Sequence, residues 1–572
     1  MMARKHDNRS ISLFELLHGI IDASSLLKGV AECPVTGLAL DSRDIQQGFG
    51  FVALQGKSGH GVEFCQSAIL NGAAFILHDG KGEQRVVSIA VVKSKIPVIV
   101  IPDLANQLPI IIQRLYPQTL LGLNIVGITG TNGKTTCSQY IAQALNNFQT
   151  TAVIGTLGNG IIGSLQLSRH TTPDTITVQR LLNEFYSVGA KHVIMEVSSH
   201  GIEQGRVKNV PFTMAMFTNL TQDHLDYHGS MEAYGATKRK LFESFQATTA
   251  VINIDDPFGE ELFQSLPETM RKVSYSTSKG KAGKHFVLAS AITQNRDGMQ
   301  ISIQSSWGDA QLDTPLLGRF NASNLLGVLA VLLSVDIPIT AAIKQLSGFS
   351  ALPGRMQSVM QRHQSEPVVV VDYAHTPDAL ENVLQALRQH VLVPQRSGFV
   401  DNESQAPIVK KSELTLTSTH HTIPVQSKLW CVFGCGGDRD TSKRAIMGGI
   451  AQRLSDQIVL TDDNPRTEIA TQIVDNIRAG FNPDRDGSAT ISVIHDRREA
   501  IRYAIQQANA GDIVVIAGKG HEDYQIIGNQ KIDYPTDMNI AETALAETYG
   551  IDDTNYEQDS HDQDNADIGD SA

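Results

Sequence analysis

Apolar residues in this chain gather in short unbroken runs set between longer stretches with helical spacing. Three such runs, Ile125 to Thr129, His192 to Val197 and Thr213 to Thr218, are separated by helix-like segments such as Thr177 to Val188. Unbroken apolar runs alternating with helices predict parallel strands buried on both faces. After Leu352-Pro353-Gly354 the pattern restarts, with strands expected at Pro367 to Val371, Leu429 to Phe433, Gln457 to Thr461, Ile491 to Ile494 and Ile513 to Ala517, each but the last followed by a helix-like segment. This predicts a second doubly wound sheet. The N-terminal part mixes the runs Gly50 to Leu54, Ala73 to Leu77 and Pro97 to Ile101 with Gly-rich turns and reads as a smaller α/β unit. The fold class is therefore α/β, with units expected over residues 1–115, 116–350 and 351–550. Pro394 to Lys428 is polar, rich in Ser, Thr and Gln, and reads as an inserted loop.

Composition agrees with that division. A chain of 572 residues exceeds what one hydrophobic core supports. With 41% hydrophobic and 19% charged residues it has the make-up of a soluble globular protein. The formal charge of -13 is concentrated at the end, where residues 551–572 carry eight acidic side chains and no Lys or Arg; this tail is expected to be disordered. Nothing here offers a general attraction for nucleic acid. Met1 to Leu17 lacks the apolar core of a signal peptide, and Ile96 to Tyr116, the most apolar window, is broken by Pro97, Pro102, Asp103, Asn106, Pro109 and Arg114. A cytoplasmic, monomeric protein without a membrane span is expected. The five cysteines form no CxxC pair, and Cys431 and Cys435 lack a second ligand pair, so they read as buried thiols.

Each of the three central runs ends in residues able to do chemistry: Gly130 to Thr136, Glu196 to His200, and Asn219 to His228. Ligands bind at the carboxyl ends of strands in open α/β sheets, so three such ends side by side would frame one site. The strongest motif is Gly130-Thr131-Asn132-Gly133-Lys134-Thr135-Thr136, placed after a strand and before the amphipathic stretch Cys137 to Leu145. Such a turn presents backbone N–H groups and a helix dipole to phosphate, while Lys134 reaches the terminal phosphates and Thr135 offers a hydroxyl to magnesium. The usual spacing wants Gly where this chain has Ile128, so the loop is a shortened variant, unlike that of ordinary GTPases and kinases. Glu196 closes an apolar strand, where an unpaired carboxylate is costly to bury unless a cation meets it. His224 and His228 have the i, i+4 spacing of helical zinc ligands but no third ligand nearby, which disfavours zinc. Lys238, taken alone, reads as one charge on a solvated helix face. In the second sheet Gly434 to Asp440, Asp462-Asp463-Asn464-Pro465-Arg466 and Gly518-Lys519-Gly520-His521-Glu522 each fall at a strand end. Each is also turn-forming, yet two arginines and several carboxylates arriving from different strands favour a zwitterionic ligand with carboxylates.

With these residues in view, the chain resembles the Mur ligase family from Leu13 to Gly550. The resemblance is carried by Leu40-Asp41-Ser42-Arg43, Gly130 to Thr136, Thr171-Thr172-Pro173, Glu196 to Gly201, Asn219 to Gly229, Leu352 to Arg355, Asp372 to Pro377 and the three motifs of the second sheet. It implies a three-domain ATP-dependent ligase: an N-terminal UDP-substrate-binding domain, a central P-loop ATPase-like parallel sheet, and a C-terminal Rossmann-like amino-acid-binding domain. It further implies use of ATP and Mg²⁺ to join meso-diaminopimelate to the D-glutamate of UDP-N-acetylmuramoyl-L-alanyl-D-glutamate through an acyl phosphate, a step of peptidoglycan synthesis.

By the same resemblance, Leu40, Ser42, Lys57, Ser58 and Gly59 would contact the uridine nucleotide, and His170, Thr171, Thr172, Ser198, Gln204 and Arg206 the muramyl peptide. Gly130, Thr131, Asn132, Gly133, Lys134, Thr135 and Thr136 would hold the phosphates, and Asn321, Arg355 and Asp372 the adenosine. Thr135, Glu196 and His224 would ligate magnesium together with Lys238 as a carbamate; an unmodified lysine, ordinarily cationic, could not do so. Arg439, Asp463, Asn464, Pro465, Arg466, Gly518 and Glu522 would form the diaminopimelate pocket, with Arg466 clamping the second carboxylate. The chain departs from close relatives at His170, where Asn is usual, and in the Pro394 to Lys428 insertion and the tail. A folylpolyglutamate synthetase-like ligase, which should lack the Asn-Pro-Arg and UDP-side motifs, and a P-loop kinase remain the alternatives.

Overall fold

The computed structural model describes residues 10–21, 28–56, 59–80, 85–91, 94–116, 122–245, 247–295, 298–361, 365–391, 427–482, 484 and 489–550. The expectations for Lys57, Ser58, most of the Pro394 to Lys428 stretch and the acidic tail fall outside these residues.

The central sheet runs, from one edge, through Gly158–Ile161, Thr151–Gly155, His192–Glu196, Asn124–Thr129, Met214–Phe217, Thr249–Asn253, Arg271–Ser276, His285–Asn295, Gly298–Ser305 and Ala310–Thr314. The three strands expected from their apolar runs are neighbours, with Asn124–Thr129 between the other two and parallel to both. Their residues are buried almost throughout, because helices cover both faces. On one side the helix Arg319–Ser334, whose apolar residues lie all round its surface, packs beside Lys134–Asn146. The sheet is wider than the apolar runs alone indicate, and antiparallel at both edges. Gly298–Ser305 alternates buried and exposed positions, so its half-covered strand carries no unbroken run.

Each of the five strands expected after Leu352 is present, in the order Val368–Asp372, Ile513–Ala517, Leu429–Phe433, Gln457–Leu460 and Thr490–Val493, all parallel, with Gln357–Ser358 added antiparallel at the edge. A hairpin of Tyr524–Ile527 and Gln530–Asp533 follows the last parallel strand in sequence. The N-terminal sheet has the order Gly37–Ala39, Phe49–Ala53, Phe75–His78, Ser94–Val100, Arg85–Val91. Helices Leu13–Leu17 and Leu104–Leu115 cover one face and Cys65–Leu70 the other. Among the described residues, no helix is long and apolar enough to cross a membrane.

Candidate active site

The loop after Asn124–Thr129 is shaped by its glycines. Gly130 has φ +152°, and a side chain there would collide with Thr218 Oγ1; Gly133 has φ +84° and serves as N-cap of the helix Lys134–Asn146. With no side chain at the cap, the first-turn N–H groups face the loop's concavity, the geometry that receives phosphate. Lys134 Nζ folds back to donate to the carbonyls of Gly130 at 2.9 Å and Thr131 at 2.8 Å. Asn132 is anchored from the neighbouring strand end, its N–H donating to Asn219 Oδ1 at 2.8 Å.

Lys238 does not lie on a solvated face. Only 1% of it is exposed, its Nζ donates to the same Gly130 carbonyl at 2.8 Å, and it lies 4.2 Å from the Tyr234 ring centroid. Helix Met231–Glu243 turns Tyr234, Lys238, Leu241 and Phe242 inward at helical spacing, which decides the point. Burial pushes the Lys238 pKa well down, the charge of Lys134 pushes it further, and Asp223 opposes. Lys134 is also lowered, by burial first, against Glu196 and Asp223.

Glu196 is fully buried and satisfied within the fold. It accepts from Thr135 Oγ1 at 2.8 Å, from the N–H of Thr156 at 2.9 Å and from Thr156 Oγ1 at 3.1 Å. Thr156 also meets Thr171, with hydroxyls 3.0 Å apart. Sequence reasoning missed Thr156, which follows a strand that carries no motif. Thr172 uses its hydroxyl to bridge Glu196 O at 2.9 Å and the N–H of Ser198 at 3.0 Å, and Ser198 caps the helix Ser199–Glu203. Both therefore shape this corner through backbone contacts.

His224 is the N-cap of the short helix Leu225–His228, with φ +55°. Its Nε2 lies 3.4 Å from Asp223 Oδ2, its ring centroid lies 4.9 Å from that of His200, and burial pushes its pKa down to about 3 against the pull of Asp223. His228 is engaged elsewhere, 3.0 Å from Ser199 Oγ. Among the described residues no cluster of three or more His, Cys, Asp or Glu could hold a metal. The donor set around the phosphate loop instead combines Glu196, the Thr135 hydroxyl, a neutral imidazole and Lys238. A carbamate on Lys238 would complete that set with the oxygens magnesium prefers, and among the described residues no carboxylate forms an ion pair with Lys238, whose Nζ donates to the Gly130 carbonyl.

The third sheet reaches this site directly. Arg355 Nη2 lies 3.4 Å from Thr135 Oγ1, with its guanidinium 4.5 Å from the Tyr373 ring centroid. Asp372 accepts from the N–H groups of Met356 and Ala374, both at 2.7 Å, which fixes the segment bearing Arg355. Asn132 Nδ2 donates to Asp378 Oδ2 at 2.9 Å, and Gln222 Nε2 to Ser442 Oγ at 2.9 Å. Asp223 faces Lys443 Nζ at 3.7 Å; burial alone would raise its pKa, but Lys443, His224 and His375 bring it to about 2. Between these contacts lies a cavity of about 430 Å³ lined by Asn132, Thr136, Asn321, Arg355, Asp372 and Asp378 among others, within the range for a small-molecule site.

A second cleft of about 880 Å³ lies between the N-terminal and central sheets, lined by residues that include Leu40, Arg43, Arg169, His170, Gln204 and Arg206. Arg206 donates to Thr172 O at 2.7 Å and to Gln204 Oε1 at 2.6 Å. Arg169 reaches across to Asp44 at 3.0 Å, a bridge the sequence did not signal. Ser42 is buried, with its carbonyl accepting from Asn71, and Gly59 turns back through its carbonyl onto the N–H of Gly56.

Around the strand ends of the C-terminal sheet the remaining predicted residues come together. Arg466, with φ +51°, is held through its backbone by Ile526 and Gly528, and its Nη1 donates to Gly437 O at 2.8 Å. Burial lowers its pKa, and Arg439 adds a like charge. Asn464 Nδ2 donates to Glu522 Oε2 at 3.1 Å. Pro465 O lies against Gly437, where a side chain would collide, and Gly518, with φ +121°, takes a backbone conformation that favours glycine.

Three family models cover most of this chain: the Mur ligase middle domain over residues 128–332, the Mur ligase glutamate ligase domain over 354–399 and 411–520, and the Mur ligase family catalytic domain over 34–116. The chain is 41% identical over 517 residues to UDP-N-acetylmuramoyl-L-alanyl-D-glutamate–2,6-diaminopimelate ligase of Coxiella burnetii, covering 90% of this chain and 96% of that one. The chain belongs to the Mur ligase family. This Mur ligase is 40% identical to the protein of the same name from Pseudomonas aeruginosa, over 89% of its length and 94% of the relative's. A solved structure of a UDP-N-acetylmuramoyl-L-alanyl-D-glutamate–2,6-diaminopimelate ligase matches with TM-score 0.57 and 33% identity, covering 94% of this chain and 99% of that one. The MurF ligase of Thermotoga maritima in complex with ADP shares the fold, with TM-score 0.58, 15% identity and coverage of 90% and 97%. As a family member, this protein is an ATP-dependent ligase.

Proposed function

We propose that this Mur ligase joins meso-diaminopimelate to UDP-N-acetylmuramoyl-L-alanyl-D-glutamate in the cytoplasm, with the expected N-terminal, central and C-terminal units binding the UDP-substrate, ATP and the amino acid respectively. The observation that carries this reading is the guanidinium of Arg466, part-buried beside Arg439 in the same unit whose Arg355 touches the phosphate loop. A part-buried guanidinium that pairs with a substrate carboxylate would separate a dicarboxylic diamine from lysine, because the analogue leaves it unmatched.

In this reading the loop Gly130 to Thr136 cradles the phosphates, and Arg355, Asn321 and Asp372 flank the nucleoside in the smaller cavity. Magnesium, when bound, neutralises phosphate charge; Glu196, Thr135, His224 and carbamylated Lys238 would hold it. A neutral, buried amine is the form that adds CO₂, and the depressed basicity of Lys238 supports this modification. Leu40, Arg206, Gln204 and His170 line the cleft for the UDP-muramyl dipeptide, which brings the D-glutamate γ-carboxylate to the strand ends. That carboxylate attacks the γ-phosphorus of ATP, the Pγ–O bond to the β-phosphate breaks, ADP leaves and an acyl phosphate forms. The diaminopimelate amine then attacks the acyl carbon, the C–N bond forms, the C–O bond to phosphate breaks, and inorganic phosphate and a proton leave.

The deciding experiment incubates purified protein, ATP and Mg²⁺ with dipeptide and amino acid together and separately. Tripeptide and phosphate should form only in the complete mixture with diaminopimelate. No tripeptide, or a preference for glutamate on a folate acceptor, would reject the proposal.

A further inference from the structure

The amino-acid pocket contains a cation to which the motif reading gave no role. Lys519, between Gly518 and Gly520, is fully buried. Its Nζ lies 3.1 Å from Asn464 Oδ1, 3.1 Å from Glu522 Oε2 and 3.5 Å from Asp463 Oδ1. An ammonium has three donors, and here three acceptors surround it, two of them carboxylates. The acceptors are themselves linked. Asn464 Nδ2 donates to the same Glu522 oxygen at 3.1 Å, and the N–H of Ile526 donates to Asn464 Oδ1 at 2.9 Å. The other Glu522 oxygen accepts from Tyr373 OH at 3.4 Å.

The nearby Arg497 is no substitute for this charge. It is fully buried and locked onto Asp537, with its Nε and Nη2 donating at 2.9 and 2.8 Å. Without Lys519, the carboxylates of Asp463 and Glu522 would be left to draw on Arg466, the cation they already act on, in a part-buried site where charges are screened less than in open water.

We propose that Lys519 is a positioning and specificity-determining residue of the amino-acid pocket. It holds Asn464 and Glu522 in one arrangement and offsets the Asp463–Glu522 charge, so that Arg466 and Arg439 stay available to substrate carboxylates. The inference rests on the diaminopimelate reading above and adds a directional claim. Removing the ammonium makes the pocket more negative, which disfavours a neutral dicarboxylic diamine relative to cationic lysine.

The test compares the wild-type chain with Lys519→Met and Lys519→Gln, using diaminopimelate and lysine as alternative acceptors. The KM for diaminopimelate should rise about 10- to 100-fold, the range for lost hydrogen bonds to charged groups. The KM values for ATP and the UDP-dipeptide should stay near wild type. The ratio of kcat/KM for diaminopimelate to that for lysine should fall in both variants. That ratio is unaffected by the active fraction of enzyme, so partial misfolding of either variant does not blur it, and Lys519→Gln retains an uncharged donor to Asn464. An unchanged ratio, or a common loss across all three substrates, overturns the inference. A wild-type protein that does not use diaminopimelate would instead reject the functional proposal beneath it.

Discussion

Lys238 shows how burial changes what a side chain can do. In sequence it is one lysine among several on a helix; in the folded protein it shares the Gly130 carbonyl with Lys134, and the two charges oppose one another. Lys238→Ala is expected to abolish ligation, with partial return of activity when short carboxylic acids are added; a variant that ligates normally without them would remove the carbamate from the site. Lys134→Ala should cost at least the factor of about 10²–10³ typical of one lost electrostatic donor, measured as tripeptide formed under saturating substrates. A pH effect follows from His192, His200, His224 and His375, all pushed down by burial. Because their folded pKa values lie below the unfolded value of about 6.5, the unfolded chain binds more protons, so stability is intact above that pH and declines below it. Melting temperatures should therefore be level from about pH 7 to 8 and drop toward pH 5; a level profile throughout would contradict the neutral, buried state of these rings.

At the scale of elements, the site depends on loops that touch without side chains between them. Gly437, in the loop after Leu429–Phe433, lies so close to Pro465 that a methyl group would strike its carbonyl, and backbone cannot swing aside as a side chain can. Gly437→Ala should therefore displace Arg466, whose Nη1 donates to Gly437 O. The expected result is a KM for diaminopimelate raised about tenfold or more, with ATP binding unaltered, by steady-state kinetics with each substrate varied. Equal effects on both substrates would place the disturbance elsewhere. The motif Gly434 to Asp440 was recognisable from its glycines, but its spatial partner was not, because the two loops follow different strands.

Across the whole molecule, contacts between the central and C-terminal sheets flank the smaller cavity. Lys443 and Asp223 are both nearly buried, and Asn132 meets Asp378 on the cavity wall. Lys443→Met would leave Asp223 without its nearest cation, and breaking a buried pair from one side typically costs about 3–5 kcal/mol. Thermal unfolding should shift down accordingly and recover in the Lys443→Met, Asp223→Asn double variant, with little change at high salt because the pair is screened poorly. A single variant as stable as wild type would mean the pair does not hold the sheets together.

The chain's pattern by itself determined the α/β class, the central strands whose ends carry the Gly130 to Thr136 loop and Glu196, the five strands of the second parallel sheet and the strand-end motifs. It could do so because fully covered parallel strands must be apolar throughout and their polar ends are exposed to ligands. Only the tertiary structure decided the burial of Lys238, the service of Thr156 to Glu196, the closeness of Lys519 to three pocket residues, and the pairing of Asp223 with Lys443. Those facts arise where segments far apart in sequence are packed together. A side chain's charge and bonding are set there by what surrounds it, which no local spacing records.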